Sequence, residues 1–217
     1  MKRITIIAGH FGSGKTEFAV NYAMHLRKTN ENVVIADMDT VNPYFRTKDA
    51  EGQLEAAGVK VISPEFANTN LDIISIPGEI NAVFEDSTCR AVLDVGGDDE
   101  GAVVLGMFKK QLEKSGYDMF LVVNKNRPFT DSVENTVDMI CAIESSSGLK
   151  FTGIISNTNL LEETSPELVR SGEEMCEKVS EKTGIPLIFV ASDEKNSGLI
   201  KNRNNYFKLN FYIKRPF

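Results

Sequence analysis

The chain has few cysteines and histidines, no cationic excess and no long apolar run, and each shortage removes a class of function. Its three cysteines, Cys89, Cys141 and Cys176, are widely spaced without a C-x-x-C pair. Neither a disulfide framework nor a zinc site follows from such a set, and a reducing cytoplasm is the expected location. Cys141 and Cys176 fall in helical patterns as small core hydrophobes, and no nucleophile is indicated. With only His10 and His25, no Ser-His-Asp arrangement or histidine metal cluster can be assembled. Twenty-four Lys and Arg against 31 Asp and Glu leave a net charge of −7, which disfavours phosphate-backbone binding, so no nucleic acid partner is expected. No segment approaches the ~20 apolar residues of a membrane span. The basic start Met1-Lys2-Arg3 is followed by an apolar run, Ile4 to Ala8, too short for a signal-peptide core. Internal repeats, low-complexity tracts and N-x-[ST] sequons are also missing.

What is present is a regular alternation. Short β-rich apolar runs stand at Ile4–Ala8, Val33–Ala36, Val59–Ile62, Ala91–Val95, Met119–Val123, Gly153–Ile155 and Pro186–Val190. Buried parallel strands read in this way. Between them, Glu17–Lys28 places Phe18, Ala19, Tyr22, Ala23 and Leu26 on one helical face, and weaker helical patterns cover Gly101–Leu112, Asp131–Ile143 and Pro166–Glu181. The expectation is one α/β domain over 1–217, a doubly wound, mostly parallel sheet in three α/β/α layers, with its crevice at the carboxyl ends of the strands. The stretch 42–85 breaks the rhythm with Pro43, Pro64, Pro77 and Asn68-Thr69-Asn70, and reads as an irregular excursion over the sheet edge. At the other end, Phe207–Lys214 alternates at period two, predicting a strand or extended packing arm.

Gly9-His10-Phe11-Gly12-Ser13-Gly14-Lys15-Thr16 fulfils G-x-x-x-x-G-K-[ST] between a predicted strand and a predicted helix. The glycines Gly9, Gly12 and Gly14, with Ser13, let backbone N–H groups curl around phosphate oxygens at a helix N-terminus. Lys15 adds a point charge toward the terminal phosphates, and the Thr16 hydroxyl can ligate Mg2+. A magnesium partner is expected at Asp94, which ends the apolar run Ala91-Val92-Leu93 and precedes Val95-Gly96-Gly97. That D-x-x-G spacing lets the Gly97 amide meet a γ-phosphate, an approach a side chain would block. A third acidic element, Asp37-Met38-Asp39, ends the run from Val33. The neighbouring Asp98, Asp99 and Glu100 are assigned to capping the helix that follows.

Phosphate loop, then D-x-D on the following strand, then D-x-x-G, resembles the MinD/ParA/CobQ-CobB group of P-loop proteins, over roughly the first half of the chain. The resemblance implies that Asp39 lies near the attacking water and that Asp37 supports or faces the metal. The group's second loop lysine is matched here by His10, which argues against activation by a lysine supplied across a dimer, although a homodimer is compatible with the sequence. MinD-type membrane docking uses a terminal amphipathic helix, and period-two alternation at the C-terminus does not provide one. Tyr44 and Arg46, beyond the acidic pair, are candidates for contacting a substrate or partner.

For the base, guanine readers place a carboxylate at the fourth position of N-K-x-D, whereas this chain has Asn124-Lys125-Asn126-Arg127 and, after the next strand, Asn157-Thr158-Asn159-Leu160. ATP is therefore the expected nucleotide, with Mg2+, and Asn157 sits where the resemblance puts an adenine-reading asparagine. Two readings follow. In one the chain is an ATPase switch or assembly factor with a protein partner. In the other it is an enzyme of the dethiobiotin synthetase type that phosphorylates the carboxylate of a small-molecule acceptor.

Overall fold

The computed structural model describes residues 1–39, 47–63, 78–97 and 99–213. Tyr44, Arg46, Asn68-Thr69-Asn70 and Asp98 lie outside the described residues. Eight strands form one sheet: β1 (Ile4–Ala8), β2 (Val33–Met38), β3 (Val59–Ile62), β4 (Arg90–Val95), β5 (Tyr117–Val123), β6 (Gly153–Ser156), β7 (Leu187–Ser192) and β8 (Tyr206–Lys208). Their spatial order is β3-β2-β4-β1-β5-β6-β7-β8, and every pairing is parallel. The helices are α1 (Lys15–Arg27), α2 (Glu51–Ala56), α3 (Ile80–Glu85), α4 (Asp99–Met107), α5 (Lys109–Ser115), α6 (Val133–Ser147) and α7 (Pro166–Thr183).

This is the expected three-layer α/β/α arrangement. One face of the sheet packs residues such as Ile6, Leu93 and Leu121 against Val83, Leu105, Ile140 and Cys176 of α3, α4, α6 and α7. On the other face, Ile7, Val92 and Val122 pack against Phe18 and Tyr22 of α1, Leu54 of α2, and the C-terminal Phe207 and Leu209. Because β1 is covered on both faces, all five of its residues are buried, and its sequence shows no polar-apolar alternation. Strands β4 and β5 flank β1, so the carboxyl ends of β2, β4, β1, β5 and β6 open side by side, at the point where the connections diverge.

Several boundaries differ from the sequence reading. The helix expected over Gly101–Leu112 is two helices, because Phe108 turns inward between them, buried and stacked on Phe84 with ring centroids 5.5 Å apart. Within 42–85, where helical periodicity is weak, α2 and α3 each span only six residues, too short to show it. The sequence places a strand from Pro186, but β7 begins at Leu187, and Pro186 contributes its carbonyl to Ile154 N–H instead. Among the described residues of the C-terminus only Tyr206–Lys208 pairs as a strand. The residues that follow lie along α1. Asn21 bonds the backbone of Asn210 in both directions, and Glu17 accepts from the Tyr212 and Ile213 amides. The expected single apolar face is partial, because Phe211 is 55% exposed whereas Phe207, Leu209 and Ile213 are buried. No helix among the described residues is long and apolar enough to cross a membrane.

Candidate functional site

The loop Gly9–Thr16 leaves β1 and enters α1 at the centre of the strand ends. Gly14 is the N-terminal cap of α1 with φ 86°, a left-handed conformation that a residue with a side chain adopts only under strain. A Cβ there would also lie 2.3 Å from the Asn157 amide nitrogen. Gly9 ends the strand, Gly12 turns the loop, and the Ser13 amide bonds the His10 carbonyl at 3.1 Å. Ser13 is buried and its Oγ has no hydrogen-bond partner.

Lys15 is buried, with Nζ 3.3 Å from the His10 carbonyl. A Cβ on Gly97 would fall 2.9 Å from that Nζ and 2.6 Å from the Phe11 amide nitrogen, so only glycine lets the loop after β4 rest on the phosphate loop. The lysine and the D-x-x-G glycine, 82 positions apart in the chain numbering, are thus in direct contact.

On the β2–β4 side, three carboxylates converge. Asp37 and Asp94 are opposed in the strand register, and both are buried. Asp39, also buried, follows the last residue of β2; its amide bonds Asp37 Oδ1 at 3.0 Å, and its carboxylate lies over Gly96. Burial pushes the Asp94 carboxyl up to about 7, and the charges of Asp37 and Asp39 push the same way. Lys15 and a hydrogen bond from the Thr16 hydroxyl oppose the rise. A further donor is Thr47 Oγ1, fully buried and 3.3 Å from Asp94 Oδ2. Nothing in the sequence pattern singled out Thr47, which reaches Asp94 only through the fold.

The residues fit a magnesium ion. Asp94 Oδ1 is buried without a hydrogen-bond partner, and a carboxyl held near neutrality by desolvation and like charge gains most from an added cation. No group of three or more His, Cys, Asp or Glu among the described residues forms a metal cage by itself. Magnesium, which takes much of its shell from phosphate and water, does not need one. Thr16 and Asp94 would hold it, and it would neutralise charge on bound phosphates.

The β5–β6 side is built from amides. The Asn157 side chain, 2% exposed, donates to the Ser13 carbonyl at 2.7 Å, so its amide N–H is directed at the phosphate loop. Asn159 donates to the Asn157 carbonyl, and Asn124 to the Asn159 carbonyl. Arg127, from the loop after β5, places Nε 3.0 Å from the Gly12 carbonyl and lies over that glycine. The sequence drew attention to Arg127 only as the residue that breaks N-K-x-D. Neither Cys89 nor Cys176 offers a nucleophile: both are buried, and burial pushes the Cys176 thiol up to about 12, whereas Cys141, expected in the core, is exposed on α6.

No protein-family model matches the sequence, and no curated protein matches it at a significant level. Solved structures do match in fold. The cell division protein FtsY from Thermotoga maritima aligns with a TM-score of 0.56 at 19% identity, over 89% of this chain and 62% of its own. The signal recognition particle receptor FtsY from Elizabethkingia anophelis in complex with GDP gives 0.56 at 15% identity, over 87% of this chain and 57% of its own. A nucleotide-binding protein from Archaeoglobus fulgidus in complex with ADP gives 0.52 at 16% identity, over 90% of this chain and 84% of its own. The chain thus spans somewhat more than half the length of the FtsY structures. At these identities the likeness shows the fold: a P-loop NTPase sheet with helices on both faces.

Proposed function

We propose that the protein is a magnesium-dependent ATPase that works as a nucleotide-driven switch of the MinD/ParA/CobQ-CobB type. The observation that carries this reading is the meeting of Lys15, Gly97, Thr16 and Asp94 around one phosphate loop. Backbone amides of the loop and the start of α1 would bind the phosphates, and Lys15 would face the terminal ones. Thr16 and Asp94 would hold Mg2+, with Asp37 behind Asp94 in the strand register. Asp39, over Gly96, would orient the attacking water. Because Asp39 and Gly97 both sit where a γ-phosphate would end, its presence or loss would be felt by the loops after β2 and β4, which is how a switch acts.

Support for adenine rests on what the base loops lack. Arg127 occupies the carboxylate position after β5, and Asn157-Thr158-Asn159-Leu160 carries none after β6. With its amide N–H committed to Ser13, Asn157 acts in this reading as a support of the phosphate loop, and adenine is selected by the absence of a guanine reader. The fold neighbours include both a GDP complex and an ADP complex, so competition is the decisive test. Labelled ATP bound with Mg2+ should be displaced by ATP at clearly lower concentration than by GTP. A reversed order would assign the protein to guanine nucleotides. Phosphate release from ATP alone, slow and independent of protein concentration, is expected of a switch that awaits a partner; phosphate found on a metabolite would favour an acceptor enzyme.

A further inference from the structure

Beside the phosphate loop, and sharing Gly97 and His10 with the nucleotide site, lies a groove of about 410 Å3 whose α6 wall the nucleotide reading does not use. Its inner end is Gly97 and His10, and its walls are Phe129 and one face of α6, namely Asn135, Asp138, Met139, Ala142 and Ile143. The volume suits a small molecule.

The Asp138 carboxylate sets the polar chemistry of the groove. Asn135 gives one amide N–H to Asp131 Oδ1 at 2.7 Å and keeps its side-chain carbonyl and a second N–H. His10 Nδ1 lies 2.9 Å from the Phe11 carbonyl; an acceptor there requires a proton on Nδ1, so in the neutral ring Nε2 is an acceptor. Asp138, one helical turn from Asn135, has no hydrogen bond or ion pair among the described residues. These three side chains all offer acceptors, and the other side chains lining the groove are apolar.

Phe129 adds a second, independent indication. Its φ is 66°, a left-handed conformation costing a bulky L-residue about 1 to 2 kcal/mol, and it leaves the ring 61% exposed. The ring stands 5.0 Å from His10 at a 41° tilt, at the groove wall. An exposed aromatic ring in the same groove as a carboxylate suits an organic cation with an apolar body.

We infer that this groove binds a small organic cation, an ammonium or guanidinium group on an apolar body, with the charge at Asp138 and Asn135 and the body against Phe129 and Met139. A carboxylate ligand would meet the Asp138 charge, with the second Asn135 N–H alone to offset it. The ligand would lie one residue layer from Lys15, since Gly97 touches both.

NMR titration of the nucleotide-free full chain tests this without depending on the nucleotide reading. Phenethylammonium should bind with a Kd of about 1 mM or tighter, and 3-phenylpropanoate and 2-phenylethanol should not bind at comparable concentrations. Asp138→Asn should weaken the ammonium at least ~10-fold, as expected for loss of a charge-assisted hydrogen bond, with an unchanged melting temperature and unchanged nucleotide affinity. Equal binding of the carboxylate or the alcohol, an Asp138→Asn variant that binds as well as the parent, or binding only of a lysine-bearing peptide would each overturn the assignment. So would no binding of phenethylammonium up to ~10 mM.

Discussion

The two flanks of the phosphate loop solve opposite problems. On the β2–β4 flank, Asp37, Asp39 and Asp94 are buried together, and burial first, with the charges of Asp37 and Asp39 adding to it, raises the Asp94 carboxyl to about 7. On the β5–β6 flank, Asn124, Asn157 and Asn159 form a chain of neutral amides ending on the Ser13 carbonyl. Carboxylates that repel one another store a demand for a cation, whereas satisfied amides fix a shape. One flank is thus built to change when ligand arrives, and the other to stay the same.

Replacing the cation beside the carboxylate flank gives the largest effect. Lys15→Ala should weaken Mg-ATP by roughly 100- to 1000-fold in calorimetry, by analogy with the loss of a charge-assisted phosphate contact of several kcal/mol. Equal affinity of the two proteins would remove the phosphate site itself. Next comes Asp39→Asn, which should keep ATP binding but lower turnover ~100-fold, in the range for positioned acid-base groups. Undiminished single-turnover hydrolysis would show that the third carboxylate only shapes the loop.

Acidic tension also predicts a pH trend. The Asp94 carboxyl is raised in the fold, so its contribution to stability is fully present below the ordinary carboxylate range and is lost as pH rises through about 7. Without nucleotide, the protein should lose roughly 2 kcal/mol of stability between pH 5 and 7.5 from this group. Asp94→Asn should flatten the slope in denaturant titrations, and a slope unchanged in that variant would place the proton elsewhere. The smallest effect is expected on the amide flank: Asn157→Ala should cost about 1 to 2 kcal/mol, because a buried carbonyl loses its donor. It should leave the pH slope intact. A variant that altered the slope would show the flanks to be coupled.

Legibility from sequence followed the same division. Gly9–Thr16, Asp37, Asp39, Asp94 and Gly97 could be located because their geometry is set by backbone, at strand ends and at fixed spacing from a glycine. The strands were legible for a related reason, since double burial makes their runs continuously apolar. Thr47 could not be found, because its relation to Asp94 spans 47 positions and is made only by the fold. The direction of the Asn157 side chain was equally invisible: an asparagine at that position can face a base or the loop beneath it, and only the 2.7 Å bond to Ser13 decides. The break at Phe108 escaped notice because periodicity continues across it, and the stacking on Phe84 that turns the chain is a tertiary event.

The attachment of Asn210 and Tyr212 to Asn21 and Glu17 has a consequence for the order of folding. The helix leaving the phosphate loop takes part of its hydrogen bonding from residues 189 and 195 positions further along the chain. Strand β1 likewise waits for β4 and β5 before it has a neighbour. With such sequence-distant pairings, α1 stays incompletely anchored until these remote partners arrive, so the phosphate site cannot be completed by its own motif alone.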